Sequence, residues 1–169
     1  VAEQALWLAP VVGALVVGLA LRGVLTRTPL WLDEAQSVAI AGLPVADIPA
    51  ALRADGHPPL YYVLLHAWMR VLGTGDAAVR SLSVLCGVAS LVPLTRLGMR
   101  IGGRGVGAAA LAVAASSPFL VRYATEARMY ALVVLLALSW WLAVLRALER
   151  PSAGRLVIVA VLVGALALT

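Results

Sequence analysis

The chain has 169 residues, 63% of them hydrophobic and 12% charged, where an ordinary soluble domain is roughly half apolar and a quarter charged. That composition excludes a disordered chain and makes lipid the expected solvent for most of the surface. The net charge of +5 comes from 13 basic residues, all arginine; they flank apolar segments instead of sharing one polar face, so they read as membrane-topology markers and not as a nucleic-acid surface.

A helix crossing the hydrocarbon layer needs roughly 20 mostly apolar residues. The first such run is 5–25, broken only by Arg22, which is near enough to the end to snorkel. It is too long for a signal-peptide core and reads as a retained anchor. Further spans are expected at about 77–97, 106–121 and 129–145, and a fifth at 155–169. The run 106–121 is short and rich in Ala and Gly, which suits close helix packing. With Val1 at its start and an apolar run at its end, the chain reads as an N-terminal piece of a longer, multi-pass membrane protein, truncated and inactive on its own. Cys86 is the only cysteine; it allows no internal disulfide and reads as a packed thiol.

Residues 26–76 form one long loop between the first two spans. Asp33 is expected to cap a helix reaching about Leu43, with Gln36 three residues on in capping-box register and Pro44 ending it. Asp47 is expected to cap a second helix through about Ala54. The run Pro58–Leu72 is apolar but short for a span. It carries His66, Arg70 and the interface-favouring Tyr61, Tyr62 and Trp68, and is read as a helix lying at the membrane interface. Charge sets the topology. With that segment on one side, Arg96, Arg100, Arg104, Arg146, Arg150 and Arg155 fall on the cytoplasmic side. Asp33, Glu34, Asp47, Asp55, Asp76 and Glu126, six of the eight acids, fall outside.

Three segments can carry chemistry. In Trp31-Leu32-Asp33-Glu34 the adjacent carboxylates serve either as helix cap and dipole match or as a general base with a supporting acid, with room for a divalent cation. In Asp55-Gly56-His57-Pro58-Pro59 the prolines hold an extended approach to a helix start, so the segment is either a simple turn or an anion-binding edge. Around Glu126, Arg122 and Arg128 either neutralise the acid, Arg122 at helical i,i+4 spacing, or bind a lipid phosphate through their planar forks. Asp76 and Arg80 read as a cap and a snorkelling arginine, and His66 as an interfacial side chain.

With these segments in hand, the chain resembles the membrane glycosyltransferases of the GT-C fold, in the family-39-like group of dolichyl-phosphate-mannose protein mannosyltransferases and aminoarabinose transferases. The resemblance runs through Trp31-Leu32-Asp33-Glu34-Ala35, His57-Pro58-Pro59-Leu60-Tyr61-Tyr62, Arg80-Ser81-Leu82-Ser83, Ser117-Pro118-Phe119 and Glu126-Ala127-Arg128-Met129-Tyr130-Ala131-Leu132, from Val1 to about Arg150. It implies an all-α, polytopic fold with short interfacial helices in its first extracytoplasmic loop, in the plasma (inner) membrane. It also implies transfer of a sugar from a polyprenyl-phosphate donor to an acceptor hydroxyl on a glycan, lipid or protein, with inversion.

By that resemblance Asp33 is the base, Glu34 supports it and Glu126 faces the same cavity. Asp55, His57, Tyr61, Arg122, Arg128 and Tyr130 then line the substrate pocket, with Arg128 at the donor phosphate. Protein mannosyltransferases often carry a further basic residue near the Pro-Pro motif; none follows Pro59, which leaves lipid, glycan and polymer acceptors open. Two other readings remain at this point: a polytopic transporter or lipid flippase, whose acids bind a cation or head group, and a non-catalytic membrane subunit.

Overall fold

The computed structural model describes residues 29–169 together with Gly13, Val16 and Ala20. The expected first span, 5–25, otherwise lies outside the described residues. Every element described is helical: α1 (Leu32–Ala41), α2 (Ile48–Asp55), α3 (Leu60–Leu72), α4 (Asp76–Ser116), α5 (Pro118–Ala124), α6 (Tyr130–Glu149) and α7 (Ala153–Ala167). Two of them, α4 and α6, are long and apolar enough to cross a membrane, and α3 and α7 are shorter apolar helices.

The long element α4 is two arms folded on each other. Its helical path breaks at Gly102 and Gly103, where φ reaches +76° at Gly103. Arms 76–101 and 104–116 then run back to back. A Cβ on Gly98 would stand 3.0 Å from the Gly107 Cα, so only glycine lets the two backbones approach this closely. Leu91 on the first arm packs with Leu111, Ala114 and Ala115 on the second.

The second arm ends earlier than the apolar run suggests. Pro118 cannot extend the helix and forces Ser117 into an extended conformation (φ −61°, ψ 118°). Ser117 Oγ then accepts the Leu120 N–H at 3.4 Å and starts α5 in a new direction.

In the long loop the start of α1 differs from expectation by two residues. Helix α1 opens with Trp31 as its N-cap, not Asp33. Glu34, not Gln36, reaches back to accept the Trp31 N–H at 2.9 Å. The choice follows from where Glu34 is anchored, as described below. The helix stops at Ala41, with Gly42 as its C-cap, ahead of Pro44. Asp47 does sit at the N-cap of α2, but its side chain makes no capping bond; its carbonyl receives Ala50 and Ala51.

The bundle has two polar ends. At one, Arg100 on the first arm pairs with Glu149 at the end of α6 at 2.6 Å. At the other, α1 meets the segment 125–129 through Glu34 and Ala127. At that same end the Leu60 N–H donates to the Leu168 carbonyl at 2.7 Å, so α7 finishes beside the start of α3. Between them an apolar core joins Ile40, Ile48, Leu52, Leu65 and Val79 to Ala127 and Leu132.

Candidate functional site

The second of these ends is held together by a buried ion pair. Glu34 and Arg80 are 1% and 2% exposed. Arg80 Nε donates to Glu34 Oε1 at 2.8 Å and its Nη2 to Oε2 at 2.5 Å. The Trp31 N–H adds to Oε2 at 2.9 Å and the Ala127 N–H to Oε1 at 2.8 Å. Four donors fill the lone pairs of one carboxylate. Arg80 Nη2 also reaches the Pro29 carbonyl at 3.0 Å. One side chain thus ties the entry of α1 to α4 and to the segment before α6.

Arg80 is therefore not a snorkelling side chain. It faces inward because a carboxylate from a segment 46 residues away meets it there. Both Glu34 oxygens are committed to protein donors, so a cation at Asp33 would not share Glu34. Among the described residues no group of three or more His, Cys, Asp or Glu is arranged to hold a metal ion.

Burial pushes the Glu34 carboxyl upward, but the bonds from Arg80, Trp31 and Ala127 outweigh it and hold the group below its ordinary value of 4.5. A depressed carboxyl contributes stability that is full above the unfolded value and is lost as pH falls through the folded one. The melting temperature should therefore hold steady above pH 4.5 and drop as the pH falls further below it. In Glu34→Gln the starting temperature should be lower and that acid limb shallower. An unaltered acid limb in the variant would assign the effect to other carboxyls.

Asp33 has the opposite surroundings. It is exposed, and its carboxylate makes no hydrogen bond among the described residues. Its backbone carbonyl is engaged, by Ser37 Oγ at 2.9 Å and by Arg128 Nη1 at 3.4 Å. The next-door acids therefore divide: one is buried and saturated, the other free in the polar end.

Arg128 lies at the centre of this end. It is 8% exposed, and its Nε is buried without a hydrogen-bond partner among the described residues. Its Nη2 lies 3.3 Å from His57 Nε2, and its guanidinium sits 5.8 Å from the Tyr130 ring centre. The loop behind it is fixed from α3 and α4. Ser83 Oγ donates to the Arg128 carbonyl at 3.1 Å, so it must accept from Tyr61 OH, 2.9 Å away. Tyr61 is fully buried, and burial pushes its phenol far above the ordinary value despite the bond to Ser83.

His57 and Asp55 reach this centre through the end of α2. Gly56 takes a left-handed conformation (φ 79°) that a side chain would strain, and its N–H closes α2 on the Leu52 carbonyl at 2.8 Å. That turn brings His57 Nδ1 to 2.7 Å from Asp55 Oδ2. Gln36 Nε2 donates to the other Asp55 oxygen.

Arg122 and Glu126 stand at the rim. They pair at 3.4 Å with the expected i,i+4 spacing, and Arg122 also lies 5.9 Å from the Trp31 ring centre. His66 has turned inward, with Nδ1 2.8 Å from the Ala41 carbonyl at the end of α1. The structure thus brings Asp33, Asp55, His57 and Arg128 together, leaves Arg122 and Glu126 beside them, and puts Glu34 and Tyr61 in the supporting layer. Sequence reasoning missed Ser83 and the inward role of Arg80, although both lie in the Arg80-Ser81-Leu82-Ser83 segment that opens α4.

An apolar cavity of about 720 Å³ opens next to this polar cluster, between the two arms of α4, α5 and α6. Leu91, Leu94, Leu120 and Leu138 line its body, and Tyr123 and Tyr130 stand in its wall. Their rings meet edge to face at 5.2 Å. Because Arg128 lies over Tyr130, cation and apolar cavity share one side chain as their boundary.

The family described as dolichyl-phosphate-mannose-protein mannosyltransferase matches residues 56–169. No curated protein and no solved structure matches the chain.

Proposed function

The chain belongs to the dolichyl-phosphate-mannose-protein mannosyltransferase family, membrane glycosyltransferases of the GT-C type, and on that premise we propose that its polar end transfers a hexosyl group from a polyprenyl-phosphate donor to an acceptor hydroxyl, on the extracytoplasmic face and with inversion. The observation that carries this reading is the junction at Tyr130. A buried arginine with an unused donor lies over that ring, and the same ring lines the apolar cavity. A phosphate joined to a long hydrocarbon has the same division of chemistry.

The reaction follows from the groups present. Asp33 takes the proton of the acceptor hydroxyl as its oxygen attacks the anomeric carbon. The bond from that carbon to the phosphate oxygen breaks in the same displacement, which inverts the centre. Negative charge grows on the departing lipid phosphate, and Arg128, desolvated and held in place, meets it. Glu34 touches no reactant in this scheme. It is a positioning residue that fixes the segment carrying Asp33 against the one carrying Arg128. Arg122 and Glu126 form the rim, where the donor head group and the acceptor enter. The arginine-rich end at Arg96–Arg104 is cytoplasmic in this arrangement.

Arg128→Ala tests the reading. Loss of one charged contact to a phosphate in a partly dry site should cost about 1.5–3 kcal/mol of donor affinity, or roughly one to two decades. Arg128→Lys should recover part of it, since an ammonium keeps the charge without the planar fork. Donor affinity and melting temperature are measured together on the full-length protein. Unchanged affinity with a lowered melting point would make Arg128 a structural cation and remove it from the site.

A further inference from the structure

Four polar side chains from three separate stretches form one unbroken line at the polar end. Gln36 donates to Asp55 Oδ1. Asp55 Oδ2 lies 2.7 Å from His57 Nδ1, and His57 Nε2 lies 3.3 Å from Arg128 Nη2. The line has a direction, because arginine donates and never accepts. His57 Nε2 must therefore present a lone pair to Arg128. The single ring proton then sits on Nδ1, where Asp55 accepts it. Only one state of the imidazole fits: neutral, with the proton on Nδ1.

We propose that Asp55 and His57 are positioning residues for the lipid-phosphate donor. Asp55 selects the His57 tautomer, His57 Nε2 holds one end of the Arg128 guanidinium, and the unpartnered Nε of Arg128 is thereby kept available to the donor's anionic group. This rests on the assignment of Arg128 to the donor phosphate. Asp55 and His57 touch neither the sugar nor the reacting atoms, so their effect belongs in donor binding and not in turnover. The wrong tautomer would turn an N–H toward Arg128 and push the guanidinium away. Gln36 holds the far oxygen of Asp55 and keeps the carboxylate turned toward the ring.

The test uses the full-length protein and a polyprenyl-phosphate mannose as the probe. Donor KM, kcat and melting temperature are measured for Asp55→Asn, His57→Ala and His57→Gln, each alone and combined with Arg128→Ala. Asp55→Asn and His57→Ala should raise donor KM about threefold to tenfold, the size of one ordinary hydrogen bond, with kcat little changed. His57→Gln should recover most of the loss, because its Oε1 takes the place of Nε2 as an acceptor. In the Arg128→Ala background none of the three should raise donor KM further. Fully additive effects on top of Arg128→Ala overturn the proposal, as does an unchanged donor KM in both single variants. An unchanged donor KM in Arg128→Ala alone is a different failure: it removes the donor-phosphate assignment itself.

Discussion

Asp33→Asn is expected to lower kcat by about two to four orders of magnitude, the range for loss of a general base, while expression and melting temperature stay near those of the parent. The structure makes this a clean substitution. Asp33 is exposed, its carboxylate makes no hydrogen bond among the described residues, and the bonds that matter to the fold come from its backbone carbonyl. Asn keeps that carbonyl and almost the same volume. The competing role, helix capping, has lost its basis, because Trp31 occupies the N-cap and Glu34 supplies the reciprocal bond. What remains to a purely structural Asp33 is a charge in the first turn of α1, worth about 0.3–1 kcal/mol at an exposed site. Near-normal turnover in Asp33→Asn would reduce the residue to that contribution.

The second large effect is expected at Glu34, and it is on folding. Glu34→Ala leaves Arg80 charged and buried without its carboxylate, and breaking a buried pair in this way costs about 3–5 kcal/mol. It also frees the Trp31 and Ala127 N–H groups. The melting temperature of Glu34→Ala should fall well below that of Asp33→Asn. Glu34→Gln should fall less, because the amide keeps an acceptor. Replacing both partners together, as in Glu34→Met with Arg80→Leu, should recover part of the loss, since no stranded charge remains. A double variant less stable than Glu34→Ala would mean that Arg80 has other stabilising partners of comparable weight. Equal stability of Glu34→Ala and the parent would end the positioning role assigned to this pair.

These two neighbours show where sequence reasoning reaches and where it stops. The all-helical, membrane-type fold is legible because apolar run length and arginine placement are local, additive signals. The division of labour between Asp33 and Glu34 is not. Which of two adjacent acids points inward depends on a two-residue shift in the start of α1, and that shift is set by Arg80, 46 residues away from Glu34. Nothing in the local spacing carries that information.

The same limit explains Arg80 and Gln36. An arginine four residues into a span looks like a snorkelling side chain until its partner is known. Gln36 sits in capping-box register with Asp33, yet it reaches Asp55 at the end of α2. By contrast Asp33, Asp55, His57 and Arg128 each stand in a short polar segment interrupting apolar sequence, which singles the segments out, and the family resemblance then places them, with others, in one site. Their convergence needed the fold: the left-handed turn at Gly56, the break at Ser117 and Pro118, and the Tyr61–Ser83 support behind Arg128.

The choice of donor is the centre of the functional reading, and one measurement tests it directly. The full-length protein in lipid nanodiscs is given polyprenyl-phosphate mannose and nucleotide-activated mannose in parallel, with an acceptor glycan, lipid or peptide. The product's anomeric configuration is then read by NMR. Transfer from the lipid-linked donor alone, with the configuration inverted and the reaction lost in Arg128→Ala at limiting donor, is the expected result. Transfer from the nucleotide sugar with the lipid-linked donor inert, or a product that retains the donor's configuration, would contradict it.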